Sequence, residues 1–205
     1  MTQIQKLDLL LAAYIAAIVS AELLGAKIFQ LGFLKASVGI FVIPLTFTIN
    51  DIVTEVCGKE RARSFIKSGL YILIGLALYI FLSISLPPAG RFASANPAYI
   101  EVFSKSLRIT LASLTAFFLS ERLDVYIFSK IRQKLGKNKL WLRNNLSNFI
   151  GMLFDTTLFM FLAFYTAGSF NFILSLIWPY WLLKCLMSVI ETPFTYLGVS
   201  WLKKN

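Results

Sequence analysis

Asn50-Asp51-Ile52-Val53-Thr54-Glu55 places two carboxylates one helical turn apart inside a stretch apolar enough to cross a membrane. Further acids stand at membrane depth at Glu121, Asp124, Asp155 and Glu191, with the bases Arg122 and Lys184 in similar segments. A charge at the bilayer centre costs roughly 2.5–3.5 kcal/mol on the mildest scale. Left against lipid, these groups together would cost on the order of 20 kcal/mol, more than an ordinary domain has as net stability. They must face one another, water or a ligand, which makes the interior a polar chamber walled by helices.

Composition agrees. Of the 205 residues 58% are hydrophobic and the mean hydropathy is +0.73, far from the soluble balance. The length suits one domain, taken as 1–205. Histidine is absent, so imidazole bases, Ser-His-Asp systems and the commonest zinc ligand are excluded, and no enzyme activity, cofactor or metal is expected. Cys57 and Cys185 lie within or at the end of apolar segments and read as small core residues rather than a disulfide.

A net charge of +10 raises nucleic acid as a partner, and its placement argues against that. Lys59, Arg61, Arg63 and Lys67 follow the second apolar segment, the run Lys130, Arg132, Lys134, Lys137, Lys139 and Arg143 follows the fourth, and Lys203 and Lys204 end the chain. The clusters fall after every second span, the positive-inside pattern of a membrane protein with both termini in the cytoplasm.

Six spans follow: Leu7 to Phe29, Val38 to Cys57, Ser68 to Leu86 stopped by Pro87-Pro88, Leu107 to Phe128, Leu146 to Thr166, and a last one from about Trp178 to Trp201. The polar stretch 89–106 is read as an outer loop and 171–177 as a short lead-in. Pro193 is expected to kink or interrupt the last helix. Glu22, near the outer end of the first span, is expected to be wet, and Arg122 to snorkel to the inner headgroups. The fold class expected is therefore all-α, a polytopic bundle of six transmembrane helices.

Four of these helices carry polar stripes. Asp51 and Glu55 stack with Phe47 at four-residue spacing, beside Thr46, Asn50 and Thr54. Ser113, Ser120 and Asp124 share a face of the fourth helix, with Glu121 three residues before Asp124. Asn148 and Asp155 lie two turns apart on the fifth, and Lys184, Ser188 and Glu191 align on the sixth. Structural ion pairs would explain some of these groups, but six acids cannot all pair with two bases. The surplus suits a cation, a proton or a ligand rich in hydrogen-bond donors.

At this point an ordered set of strings carries a resemblance. Pro44 leads to Asn50-Asp51-Ile52-Val53-Thr54-Glu55-Val56-Cys57-Gly58-Lys59-Glu60-Arg61-Ala62-Arg63, followed by Ala112-Ser113, Ser120-Glu121 and Leu123-Asp124-Val125-Tyr126-Ile127-Phe128. Trp141-Leu142-Arg143-Asn144-Asn145, Asp155-Thr156 and Ala163-Phe164 complete it. Nearly the whole chain resembles the queuosine precursor transporter family of vitamin-uptake-type transporters, although that pattern often has glutamine at the position of Glu121. The resemblance implies a bacterial inner-membrane importer of 7-cyano-7-deazaguanine, 7-aminomethyl-7-deazaguanine or both, salvaged for queuosine synthesis in tRNA. By that match Asp51, Asp124, Asp155 and Lys184 occupy motif positions.

Such a ligand suits the stripes. A deazaguanine offers the ring N–H and exocyclic amine as adjacent donors, and one carboxylate can accept both. The substrate-binding set expected is Asn50, Asp51, Glu55, Glu121, Asp124, Asn148, Asp155 and Lys184, with Phe47, Phe117, Phe159 or Trp181 against the flat ring. The partners expected are the small-molecule substrate and the lipid membrane, with no nucleic acid, and self-association into a homo-oligomer stays open. The alternative is a substrate-capturing subunit of a multi-component transporter, for which the small-residue stripes Ala12, Ala16, Ser20 and Ala13, Ala17, Ala21 would permit close helix contact. A membrane enzyme with a divalent metal at Asp51 and Glu55 is the weakest reading, because no glycine-rich phosphate loop accompanies them.

Overall fold

The computed structural model describes the backbone of residues 1–32, 34–135, 140–166 and 169–204, and the side chains of these except 34, 121–149, 188 and 189. Among the described residues there are six α-helices: α1 (Gln3–Leu24), α2 (Ile43–Cys57), α3 (Lys59–Ser85), α4 (Asn96–Leu135), α5 (Leu140–Phe164) and α6 (Phe170–Lys203). Among the described residues five apolar helical segments are long enough to cross a membrane, and the described apolar part of α5, Ile150–Phe164, is shorter. Only 17–33% of the residues in the five spanning windows are buried within the protein, so their remaining apolar surface requires lipid. On α3 that outward face carries Tyr71, Ile74, Leu78, Tyr79 and Leu82.

The chain forms two compact units, residues 1–110 with 182–205, and residues 111–181. In the first, α1 opens with a reciprocal cap: the Gln5 N–H donates to Thr2 Oγ1 at 3.3 Å and the Thr2 N–H donates to Gln5 Oε1 at 2.9 Å. Tyr14 of α1, Ile49 and Val53 of α2, and Ala62 and Phe65 of α3 form one core. Gly69 makes the α1–α3 approach possible, since a Cβ there would come within 2.9 Å of Ile18 Cδ1 and 3.0 Å of Tyr14 Cε1. Of the two small-residue stripes, Ala17 and Ala21 are buried whereas Ala12 and Ala16 face outward. Gly58, at φ 84°, turns the chain between α2 and α3 in a conformation that residues with a Cβ rarely adopt.

Several boundaries differ from the expected ones. The first span stops at Leu24, and the apolar residues after it form a small antiparallel hairpin, β1 (Ile28–Leu31) and β2 (Leu34–Ser37), with Ile28 opposite Ser37. The all-α expectation therefore holds except for this hairpin. Ser37 fastens it by donating to the Gly25 carbonyl at 2.7 Å and accepting from the Gly39 N–H at 3.2 Å. The stretch read as a loop is helical from Asn96, where the Glu101–Lys105 pair at 2.7 Å spans one turn. The lead-in 171–177 belongs to α6, which runs through Pro193 without a break. Glu22 is buried rather than wet; its chain neighbour Leu23 accepts a hydrogen bond from Ser106 of α4 at 2.9 Å, so this turn is packed inside.

Lys6 joins the two ends of the chain. Its buried ammonium donates to the Trp201 carbonyl at 2.8 Å and to the Lys204 carbonyl, and lies 5.2 Å from the centre of a Trp201 ring. A cation thus binds one carbonyl in the last turn of α6 and the one just beyond the helix, where the helix dipole favours positive charge. In the second unit Phe161 packs against Phe170 at 5.8 Å and Tyr165 at 6.0 Å, while Met160, Ile173, Leu176 and Tyr180 are buried.

Candidate functional site

Within the first unit, α2 and the C-terminal half of α6 line an open cavity of about 590 Å³, in the range of small-molecule sites. Asp51, Thr54 and Glu55 line it from α2, and Thr192, Thr195, Tyr196, Val199 and Lys203 from α6. Both sets follow from helical spacing: Asp51 and Glu55 are four apart, and positions 192, 195, 196, 199 and 203 recur every three or four residues. The two helices approach closely at Gly198, where a Cβ would come within 2.1 Å of Ile52 Cδ1.

The hydrogen atoms on this wall are partly committed. The Thr54 hydroxyl donates to the Asn50 carbonyl at 2.7 Å, and the Thr195 hydroxyl donates to the Glu191 carbonyl at 3.2 Å. Their oxygens therefore retain only acceptor capacity. With Asp51 and Glu55 they make the lining rich in acceptors, countered by the Lys203 ammonium and the Tyr196 hydroxyl.

Behind this wall lies Glu191, only 7% exposed. Its carboxyl is hydrogen-bonded by the Thr48 hydroxyl and stands near enough to Asp51 for the two charges to interact. Its Oε1 is buried and has no hydrogen-bond partner among the described residues. Such an orphaned acceptor calls for a donor that these residues do not supply.

The expected site residues fall in different places. Asp51 and Glu55 share the cavity. Asn50 turns away from it toward Tyr14, whose hydroxyl is hydrogen-bonded to the Asn50 side chain. Lys184 is half-buried on α6, seven residues before Glu191, and does not line the cavity. Asp155 belongs to the second unit, where Ser120 of α4 donates to its Oδ1 at 3.4 Å. The side chains of Glu121, Asp124, Asn148 and Arg122 lie outside the described residues. Of the aromatic residues expected to stack on a ligand, Trp181 is buried and none lines the cavity; Tyr196 does. Thr192, Thr195, Tyr196 and Lys203 were not among the expected site residues. Their common face becomes visible once α6 is read as one unbroken helix through Pro193. Among the described residues no three acids or thiols gather as a metal site.

Residues 37–198 match the family described as "Putative vitamin uptake transporter". A "Probable queuosine precursor transporter" of Bacillus subtilis (strain 168) is 32% identical over 181 residues, 88% of this chain and 79% of that protein. The "Queuosine precursor transporter" of Escherichia coli (strain K12) is 30% identical over 128 residues, 62% of this chain and 54% of its own length. A "Probable queuosine precursor transporter" of Haemophilus influenzae is 28% identical over 131 residues, 64% of this chain and 53% of its own. No solved structure matches the chain. These relatives are transporters, and the spans make this a multi-pass membrane protein. Matched along residues 37–198 and across most of the Bacillus subtilis protein, the chain belongs to the queuosine precursor transporter family.

Proposed function

We propose that this chain imports queuosine precursors, 7-cyano-7-deazaguanine and 7-aminomethyl-7-deazaguanine, across a bacterial inner membrane for queuosine salvage. The observation that carries this reading is the acceptor-rich cavity between α2 and α6 in a chain of that family. Its carboxylates suit the ring N–H and exocyclic amine of a deazaguanine, and the Tyr196 ring can lie against a flat heterocycle. Asp51 and Glu55 contact the ligand in this proposal. Asn50 holds α2 against α1, and Lys184, Glu121, Asp124, Asn148 and Asp155 serve the transport path. Both units act as one transport domain, with no cofactor.

The contact of Lys6 with Trp201 and Lys204 puts the start of α1 and the end of α6 at the same end of the first unit. Chain ends on one side require an even number of crossings, which supports six. The basic clusters favour the cytoplasm for that side.

The test is uptake by the purified chain alone in liposomes, with radiolabelled 7-aminomethyl-7-deazaguanine. Accumulation above protein-free vesicles is expected. Tight binding without uptake would instead favour a capture subunit that needs further components. No binding and no uptake of either precursor would end the proposal.

A further inference from the structure

Resting on that reading, we infer that the α2–α6 cavity ranks its ligands by charge, taking a planar heterocycle with an ammonium arm in preference to the same ring with a neutral arm. Two features of the lining and one group behind it point there. Asp51 and Glu55 set two carboxylates against one lysine, Lys203. Thr54 and Thr195 have spent their hydroxyl hydrogens on helix carbonyls and add further acceptors. Glu191, more than nine-tenths buried next to Asp51, adds a third carboxyl and keeps an oxygen with no hydrogen-bond partner among the described residues.

The guanine-like edge is common to both precursors and cannot distinguish them. The arm can. An aminomethyl group is an ammonium with three donors near neutral pH, whereas a nitrile is a neutral acceptor with none. Facing lone pairs and carboxylates, the ammonium gains charge-assisted hydrogen bonds, while the nitrile meets acceptors with an acceptor. Lys203 opposes this preference but is one cation against the two acids on the lining.

Binding distinguishes the site from the membrane potential, which would by itself drive a cationic solute inward. The dissociation constants of the two precursors are therefore measured by calorimetry on the full chain in detergent, where no potential exists. The aminomethyl compound is expected to bind about tenfold tighter, equivalent to ~1.4 kcal/mol. In Asp51→Asn with Glu55→Gln the ratio should fall toward one. Should that variant fail to fold, salt titration of the parent chain decides: screening should weaken the aminomethyl compound and leave the cyano compound nearly unchanged.

Equal affinities, or tighter binding of the cyano compound, would overturn the charge preference and leave the importer reading intact. A tenfold preference that survives in Asp51→Asn with Glu55→Gln, or is indifferent to salt, would overturn its assignment to this cavity. Binding of neither compound would overturn the importer reading and this inference with it.

Discussion

Asp51 and Asp155 carry the same carboxyl in different surroundings, and that contrast decides what each substitution should do. Asp51 opens onto a cavity, whereas Asp155 is half-buried and accepts from Ser120 at 3.4 Å. Asparagine keeps the shape of both but removes the charge and turns an amine toward former donors. Asp51→Asn should weaken precursor binding together with uptake. Asp155→Asn should cut uptake by tenfold or more while the protein stays monodisperse in detergent, and its binding constant then tells recognition from transport. Parental uptake by Asp155→Asn would remove it from the transport path. Asp51 and Glu55 were legible in the sequence because a charge in an apolar stretch is conspicuous. Thr54 was visible as part of the polar stripe, but Thr195 and the acceptor role of both were not, since that role depends on where each hydroxyl hydrogen goes.

At the level of elements, helix existence was legible and helix ends were not. Apolar runs located the helices, but hydropathy reports what a segment faces rather than its conformation. Residues 96–106 are polar and helical, and Ile28 and Phe29 are apolar and form a strand. The end of α6 shows what hydropathy omits: Lys6, a cation near the start of the first span, is buried because the terminal carbonyls of Trp201 and Lys204 receive it. Hydrogen bonds to a charged group contribute about 1.5–3 kcal/mol each. Lys6→Met keeps the aliphatic length and removes the cap, so the thermal midpoint in detergent should fall by several degrees. Because α6 carries five cavity-lining residues, precursor binding should weaken in the same variant at temperatures where it is still folded. An unchanged midpoint would show that water caps α6 as well as Lys6 does.

For the whole molecule, orientation decides which way the cavity faces. The lining ends at Lys203, in the last turn of α6, and Lys6 ties that turn to the start of α1. The cavity thus lies toward the end of the first unit that carries both chain ends. If that end is cytoplasmic, this structure presents the site to the cell interior, the state from which an importer releases its cargo. The positive-inside pattern makes the prediction definite, since Lys59, Arg61, Arg63 and Lys67 follow the second span and the run from Lys130 to Arg143 follows the fourth. With Cys57 and Cys185 replaced by serine, a single reporter at Ser94→Cys, on the exposed segment before α4, should react with a membrane-impermeant thiol reagent added outside intact cells. Gln133→Cys, within the second basic cluster, should react only after the membrane is permeabilised. The reverse pattern would place both chain ends and the cavity outside, making this conformation the one that captures substrate.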